Sequence, residues 1–480
     1  MKKIKLRFLF VILSLSLYSC FEDLDDTIRP ATSLEIQDFI YKAMNIWYLY
    51  KPEVPDLAND RFATQGELND FLNSFSSPEA LFYDGLVAPL DRFSFIVDNY
   101  LELESALAGI SLSNGMEYGL VFYPGSQTNV FGYVRYIIPN SDAAVKGLER
   151  GMIFNTINGS QLTEDNFNLL QELESYEIGF ATFDGTNITP TGETVTLVKS
   201  EITENPIHVV RTLTVEGEKV GYLMYNGFTA NFDAELNNVF ATFQAEGISD
   251  LILDLRYNGG GNVETAVDLS SMVTGQFNNE VFATQVWNPE LQAIFEQNNP
   301  EDLINRFNNT IRTGAAINSL NLNRLYVITS SRTASASELV INGLDPYIEV
   351  IQVGATTTGK FQASTTFYDG PAPNFNRNDA DPGHLYAIQP LIYTSANANG
   401  ETGFIDGLPP DVEILEDLTN LGVLGEVTEP LLEAALDDLF GRSMRNYNNT
   451  PFKEAGNSKM YQLNYERMYV DEIDKTFTGF

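Results

Sequence analysis

Leu325-Tyr326-Val327-Ile328-Thr329 passes without a break into Ser330-Ser331-Arg332-Thr333-Ala334-Ser335-Ala336-Ser337-Glu338. The first five residues read as a short buried strand, and Ala336 to Leu344 read as a helix that begins one residue after Ser335. A strand feeding a helix through a serine turn is one step of a layered α/β fold, and the same succession recurs upstream. Val220-Gly221-Tyr222-Leu223-Met224-Tyr225 is a second strand. Asp233 to Ala245 is a helix with Leu236, Val239, Phe240 and Phe243 along one side, and Leu251-Ile252-Leu253-Asp254-Leu255-Arg256 is a third strand. That strand ends in Tyr257-Asn258-Gly259-Gly260-Gly261, ahead of a helix from Val263 to Met272. Residues 205–440 are therefore expected to form an α/β domain, closed by a helix from Pro430 to Leu439. Its chemistry belongs at the carboxyl ends of the strands, where such folds collect ligands.

A serine at the start of a helix has backbone amides and the positive end of the helix dipole beside it, which favour negative charge developing on a substrate carbonyl. The N–H of Ala336 is the natural first donor of an oxyanion hole. Three successive glycines let backbone approach a substrate closely, so Gly260, with Gly259 beside it, is expected to supply the second. A phosphate-binding loop is excluded by Asn262 and Val263, which stand where its lysine and hydroxyl are needed.

Between Lys219 and Lys453 the only lysine is Lys360, 25 residues beyond Ser335. An amine serves as a serine's general base once burial has lowered its pKa. At the ordinary lysine value only about one amine in 2,500 is neutral at pH 7, so the dyad requires a buried amine with no carboxylate beside it. The chain has two histidines, His208 and His384, so a Ser-His-Asp triad stays open, although neither lies in a recognisable catalytic setting. The plainer reading makes Ser335 a helix cap and Lys360 a surface charge. Asn376, Asn378, Asp379 and Asp381 offer oxygen ligands in the loop 369–383 but lack the alternating spacing of a calcium loop. No metal and no cofactor is expected.

The chain has 480 residues, enough for several domains. Lys plus Arg number 28 against 65 Asp plus Glu, a net charge of −37. A nucleic acid partner is excluded on that balance, since a polyanion is repelled at every approach. Lys2, Lys3, Lys5 and Arg7 precede an apolar stretch from Phe8 to Leu17, in the order of a secretory signal and too short to span a bilayer. Leu17-Tyr18-Ser19-Cys20 resembles the lipobox of bacterial lipoproteins, which implies a lipid on Cys20, attachment to a membrane and a place in the bacterial envelope. The acidic run Phe21-Glu22-Asp23-Leu24-Asp25-Asp26 reads as a tether, residues 21–31, and leaves periplasm and cell surface both open. Cys20 is the only cysteine, so no disulfide forms within the chain.

Residues 32–107 show helical spacing, as in Ile36, Phe39, Ile40, Ala43, Ile46 and Trp47, and read as a small helical domain. From 108 to 200 the pattern becomes short strands and turns. Tyr118-Gly119-Leu120-Val121-Phe122, Gly132 to Ile137, Ser141 to Leu148 and Gly151 to Gly159 form an ordered set that resembles a PDZ domain. The resemblance implies that Gly119, Leu120, Val121 and Phe122 grip a peptide's terminal carboxylate, with the neighbouring strand edge accepting the peptide as an added strand. Residues 441–480 carry no motif and read as a tail.

Thr333-Ala334-Ser335-Ala336-Ser337-Glu338, the step to Gly359-Lys360, Asp254 to Gly261, and Gly403-Phe404-Ile405-Asp406-Gly407-Leu408-Pro409-Pro410-Asp411-Val412 together resemble the C-terminal processing peptidases, or tail-specific proteases. The resemblance covers roughly residues 110–440. It implies a crotonase-like (ClpP-like) catalytic core beside a PDZ domain, with Ser335 as nucleophile and Lys360 as base. In that family a glutamine four residues after the lysine supports the amine. Ser364 stands there in this chain and Gln362 two residues after, so either is a candidate support. The expectation is an envelope-anchored serine endopeptidase acting on polypeptides with apolar, unstructured carboxyl-terminal tails. Two alternatives remain at this point, a catalytically weak relative that binds peptides or small ligands, and a crotonase-type acyl-transfer enzyme.

Overall fold

The computed structural model describes residues 29–445, 447, 451–471 and 473. Cys20, the cationic start and the acidic run lie outside them. The described chain opens with helix α1 (Ser33–Trp47). Its start is fixed by a reciprocal cap: Thr32 Oγ1 accepts the N–H of Glu35, and the Glu35 carboxylate accepts the N–H of Thr32. The face carrying Phe39, Ile40, Ala43, Met44 and Trp47 is buried. Those residues join a core that also holds Leu253, Val267, Leu325 and Val340 of the α/β region. The Trp47 indole N–H donates to the carbonyl of Pro373, 2.8 Å away. Strand β1 (Phe95–Val97) pairs antiparallel with Ala387–Gln389. Residues 32–107 thus bury their apolar face on the α/β body and share its core.

An antiparallel sheet follows, built from β2 (Met116–Phe122), β3 (Val130–Ile137), β4 (Ile153–Ile157), β5 (Ser175–Phe183) and β6 (Ile188–Val198), in that spatial order. Tyr118, Leu120, Val134, Phe154 and Ile178 fill one core of this sheet.

The α/β region uses two six-stranded sheets. The elements in chain order are β7 (Ile207–Val215), β8 (Glu218–Tyr225), α2 (Asp233–Glu246), β9 (Asp250–Asp254), β10 (Gly261–Asn262), α3 (Val263–Thr274), β11 (Val281–Trp287), β12 (Ile304–Arg306), β13 (Arg324–Thr329), α4 (Ala336–Leu344), β14 (Glu349–Gly354), β15 (Gln362–Ser364), β16 (Leu391–Asn397), β17 (Val412–Glu413) and α5 (Pro430–Leu439). The first sheet has the order β7-β8-β9-β13-β14-β17, parallel from β8 onward. Parallel strands are covered on both faces and read as unbroken apolar runs; Leu251, Ile252 and Leu253 and then Leu325, Val327 and Ile328 are buried accordingly. β9 and β13 are direct neighbours, in register at Asp254 and Ile328. The glycine turn and the serine turn therefore leave the sheet side by side.

Beyond α5 the chain returns across the molecule. β18 (Glu454–Asn457) adds antiparallel to the outer edge of β2. β19 (Met468–Tyr469) enters the second α/β sheet, whose order is β10-β19-β15-β16-β11-β12, lying parallel to both of its neighbours. The segment 451–471, where the sequence offers no motif, is thus built into two sheets.

Candidate active site

Ser335 lies between β13 and α4 with φ +69° and ψ −116°. A left-handed backbone at a non-glycine residue stores on the order of 1–3 kcal/mol and persists only where neighbours impose it. Here they do. Ser335 N–H donates to Glu338 Oε2 at 2.7 Å, Ala334 N–H to the Asn258 carbonyl at 3.1 Å, and Thr333 Oγ1 to the Leu255 carbonyl at 2.9 Å. The serine turn is thereby bolted to the glycine turn. Ser335 is fully buried and its Oγ has no hydrogen-bond partner among the described residues. Ala336 opens α4, and its N–H makes no hydrogen bond among those residues.

The glycine turn is held from below by Arg256, fully buried, which donates to Asp254 and to Glu429, the N-cap of α5. Nearby, burial opposes the charge on Glu416, but the guanidiniums of Arg150 and Arg256 hold its pKa down at about 2. Gly260 and Gly261 have φ of +107° and +137°, which their residue type permits. The donor expected at Gly260 is not free: its N–H is taken by Asn258 Oδ1 at 2.8 Å, the local side-chain-to-backbone turn that asparagine favours. Gly261 instead presents the outward amide, and it donates to the Arg467 carbonyl at 2.6 Å. Gly259 faces the backbone of Glu466, where a Cβ would lie 3.1 Å from that residue's nitrogen.

Lys360 is fully buried, with Nζ 5.0 Å from the centre of the Phe93 ring. Burial lowers its pKa well below the ordinary lysine value, and the guanidinium of Arg467 pushes the same way. The amine donates to the Glu466 carbonyl at 2.8 Å. It makes no ion pair among the described residues. The carboxylates of Glu466, Asp91 and Glu338 oppose that shift; the buried one, Glu338, is occupied by other donors: Oε2 accepts the N–H of Lys360 itself and of Ser335, and Oε1 accepts the N–H of Gly359 and the hydroxyl of Thr357. Glu338 therefore ties the nucleophile turn to the lysine turn through backbone. Sequence reasoning assigned it no role, although the Ser335-to-Glu338 spacing is that of a capping box.

Neither expected support reaches the amine. The Gln362 side-chain amide donates to Tyr50 Oη at 2.8 Å, and the Ser364 hydroxyl donates to the Met468 carbonyl at 3.0 Å. Both side chains are captured by nearer partners from segments distant in sequence. Ser335 Oγ and Lys360 Nζ are not hydrogen-bonded to each other; the amine is spent on Glu466. The segment at 466–467 was not foreseen as part of the site, and its sequence carries no signal that would have shown it.

The histidines lie elsewhere. His208, on β7, packs on Tyr136 with ring centres 4.6 Å apart, and burial lowers its pKa. His384 Nδ1 accepts the N–H of Tyr386, so Nε2 carries the proton it shares with Asp369 at 2.9 Å.

Gly119, Leu120, Val121 and Phe122 do not form a turn. They are the last four residues of β2, and a Cβ on Gly119 would come within 2.5 Å of the Tyr133 ring on β3. The outer edge of this stretch is taken: Gly119, Leu120 and Val121 pair with Asn457, Gly456 and Glu454, and Phe122 N–H donates to the Lys453 carbonyl. A cleft of ≈ 630 Å³ runs from this sheet to the glycine turn, lined by Arg135, Tyr257, Gly260, Arg332 and Lys459 among others. Arg135 and Arg332 both donate to the Glu454 carboxylate.

Two models of one peptidase family match this chain. The peptidase S41 N-terminal domain matches residues 35–95, and peptidase family S41 matches residues 219–413. A carboxyl-terminal-processing protease of Picosynechococcus is 25% identical over 249 residues, which are 52% of this chain and 52% of that protein. The chloroplastic carboxyl-terminal-processing peptidase 3 of Arabidopsis thaliana is 24% identical over 385 residues, 78% of this chain and 65% of that protein. The matches thus span between half and two thirds of these relatives' lengths. Among solved structures, an S41 protease from Bacteroides fragilis superposes with a TM-score of 0.66 at 27% identity, covering 84% of this chain and 97% of that one.

Proposed function

The chain belongs to peptidase family S41, among the carboxyl-terminal-processing peptidases, and on that premise we propose that it is a serine endopeptidase with Ser335 as nucleophile and Lys360 as general base. The observation that carries this reading is the pairing of a strained, buried serine at a helix start with a buried lysine that makes no ion pair among the described residues. A neutral amine has two N–H bonds and one lone pair. Donation to a carbonyl leaves the lone pair for the Ser335 proton. As that proton moves, Oγ bonds to the substrate's carbonyl carbon, and charge on the carbonyl oxygen is received by the N–H of Ala336 and of Gly261, the outward amide of the glycine turn. The carbon–nitrogen bond then breaks, the leaving amine takes the proton back from Lys360, and water clears the acyl-enzyme by the same steps.

Substrates in this reading are polypeptides with apolar carboxyl-terminal tails. The sheet of residues 108–200 acts as a PDZ-like module whose strand β2 receives the tail along Gly119 to Phe122. In support, that edge already accepts an added strand in cis, β18. A lipid on Cys20 would hold the enzyme at the bacterial envelope. Ser335→Ala and Lys360→Ala should each abolish cleavage of a peptide substrate, and substantial turnover in either refutes the dyad. A peptide-binding role without catalysis is favoured by one observation, the missing Ser335–Lys360 hydrogen bond. Fluorophosphonate labelling of Ser335 decides between the two.

A further inference from the structure

The segment 451–471 occupies both places that a substrate needs. Its first strand, β18, takes the outer edge of β2. Its second, β19, lies parallel to the glycine-turn strand β10 and to β15, the strand that follows Lys360. Between these strands, Glu466 and Arg467 lie at the reacting groups themselves. Lys360 Nζ donates to the Glu466 carbonyl at 2.8 Å, and Gly261 N–H donates to the Arg467 carbonyl at 2.6 Å. A Cβ built on Gly260 would lie 2.6 Å from the Arg467 oxygen and 2.6 Å from Ser335 Cβ, so the carbonyl and the nucleophile share one small space. Met468, fully buried, anchors the strand in the core.

We propose that this segment is a substrate-like plug, held in cis, that must leave the groove before another polypeptide can enter. The inference rests on the serine-peptidase reading and adds regulation to it. The plug's fit is imperfect in ways that favour its release. Glu466 sits at φ +51°, a left-handed conformation unfavourable for glutamate. Arg467 is half-buried, its guanidinium 4.1 Å from the centre of the Phe95 ring, with only the carbonyls of Phe93 and Leu463 as hydrogen-bond acceptors and no ion pair among the described residues. The Ser335 hydroxyl beneath the plug is left without a partner. By contrast, the Glu454 carboxylate on Arg135 and Arg332 and the buried Met468 hold it in place.

The test compares fluorophosphonate labelling of Ser335 in the full chain, in a chain ending at Arg445, and in full-length Met468→Asp, which places a charge in the core position that anchors β19. Removing the plug raises the fraction of open groove, so both altered forms should label at least about tenfold faster. A synthetic peptide of residues 451–471 should slow the shortened chain again. Equal labelling of the full and shortened chains, or no effect of the peptide, overturns the plug while leaving the serine reading intact. No labelling of any folded form refutes the serine reading and takes the plug with it. The unaltered chain gives a test independent of the variants' folding. Once labelled, the amides of residues 454–470 should lose their protection from hydrogen exchange, because adduct and plug cannot share the site. Unchanged protection overturns the proposal.

Discussion

Replacing Glu338 with glutamine alters one atom of a buried cluster and tests whether a single carboxylate aligns nucleophile and base. In the native site Oε1 accepts from the Thr357 hydroxyl at 2.5 Å and Gly359 N–H at 2.7 Å, while Oε2 accepts from Ser335 N–H at 2.7 Å and Lys360 N–H at 2.9 Å. A glutamine amide offers one oxygen and one NH2. Whichever way it is turned, two buried donors face another donor. An orphaned buried donor costs about 1–3 kcal/mol, so two cost about 2–6 kcal/mol. Burial raises the Glu338 pKa in spite of the donors that oppose it, so part of the loss is recovered when the charge is removed, and the lower half of that range is expected. Urea unfolding should therefore show a loss of about 2–4 kcal/mol with an unchanged m-value. Fluorophosphonate labelling should fall further than stability alone dictates, because one orientation of the amide breaks the N–H ties of Ser335 and Lys360 and the other breaks those of Gly359 and Thr357 beside the lysine. A Glu338→Gln chain within about 0.5 kcal/mol of the parent, the range of an ordinary surface change, would refute the argument that these turns are joined through this carboxylate.

Lys360→Met should abolish labelling yet stabilise the fold by about 1 kcal/mol near neutral pH, the usual trade at a functional site; a destabilised variant contradicts the buried-amine account. Because the folded-state pKa of Lys360 is lowered, the unfolded chain binds more protons at this site, so its contribution to stability falls as pH drops from the ordinary lysine value toward the folded one. That slope should vanish in Lys360→Met. The acid limb of kcat/KM should lie well below the ordinary lysine pKa, and a limb near pH 10 would refute the lowering of the amine's pKa by burial. Arg256→Met leaves buried Asp254 with the Tyr222 hydroxyl as its only side-chain partner among the described residues and Glu429 with its longer ion pair to Arg150 at 3.8 Å, and should cost about 3–5 kcal/mol in urea unfolding; a loss under 1 kcal/mol would show that the glycine turn does not depend on it. Gly260→Ala adds a methyl 2.6 Å from Ser335 Cβ at φ +107°, so labelling should be lost, and labelling at the parent rate would place the nucleophile elsewhere.

Much of the fold was legible because its elements are locally marked. The helices Ala336–Leu344 and Pro430–Leu439 lie where the apolar spacing puts them, and the parallel strands announce themselves as apolar runs. Lys360 stood out because no other lysine was near it in sequence. What was illegible depends on contacts across hundreds of residues. The Gly260 amide is lost to an asparagine two residues away, but that Gly261 takes its place is set by a carbonyl at Arg467. Gln362 and Ser364 are claimed by Tyr50 and Met468, partners that no spacing rule connects. Gly119, which the PDZ resemblance implies grips a terminal carboxylate, lies within a strand, where the Tyr133 ring on the neighbouring strand leaves no room for a Cβ. The segment 451–471 has too few apolar residues to declare strands, since its strands exist only by addition to sheets already formed.

The way α1 is seated on the catalytic body has a mechanical consequence. The N–H of Ala31 donates to the Gly383 carbonyl, the indole of Trp47 to that of Pro373, and β1 lies against Ala387–Gln389. A pull applied through residue 29 is therefore delivered straight to the loops and strands of the α/β body, with no swivel in between.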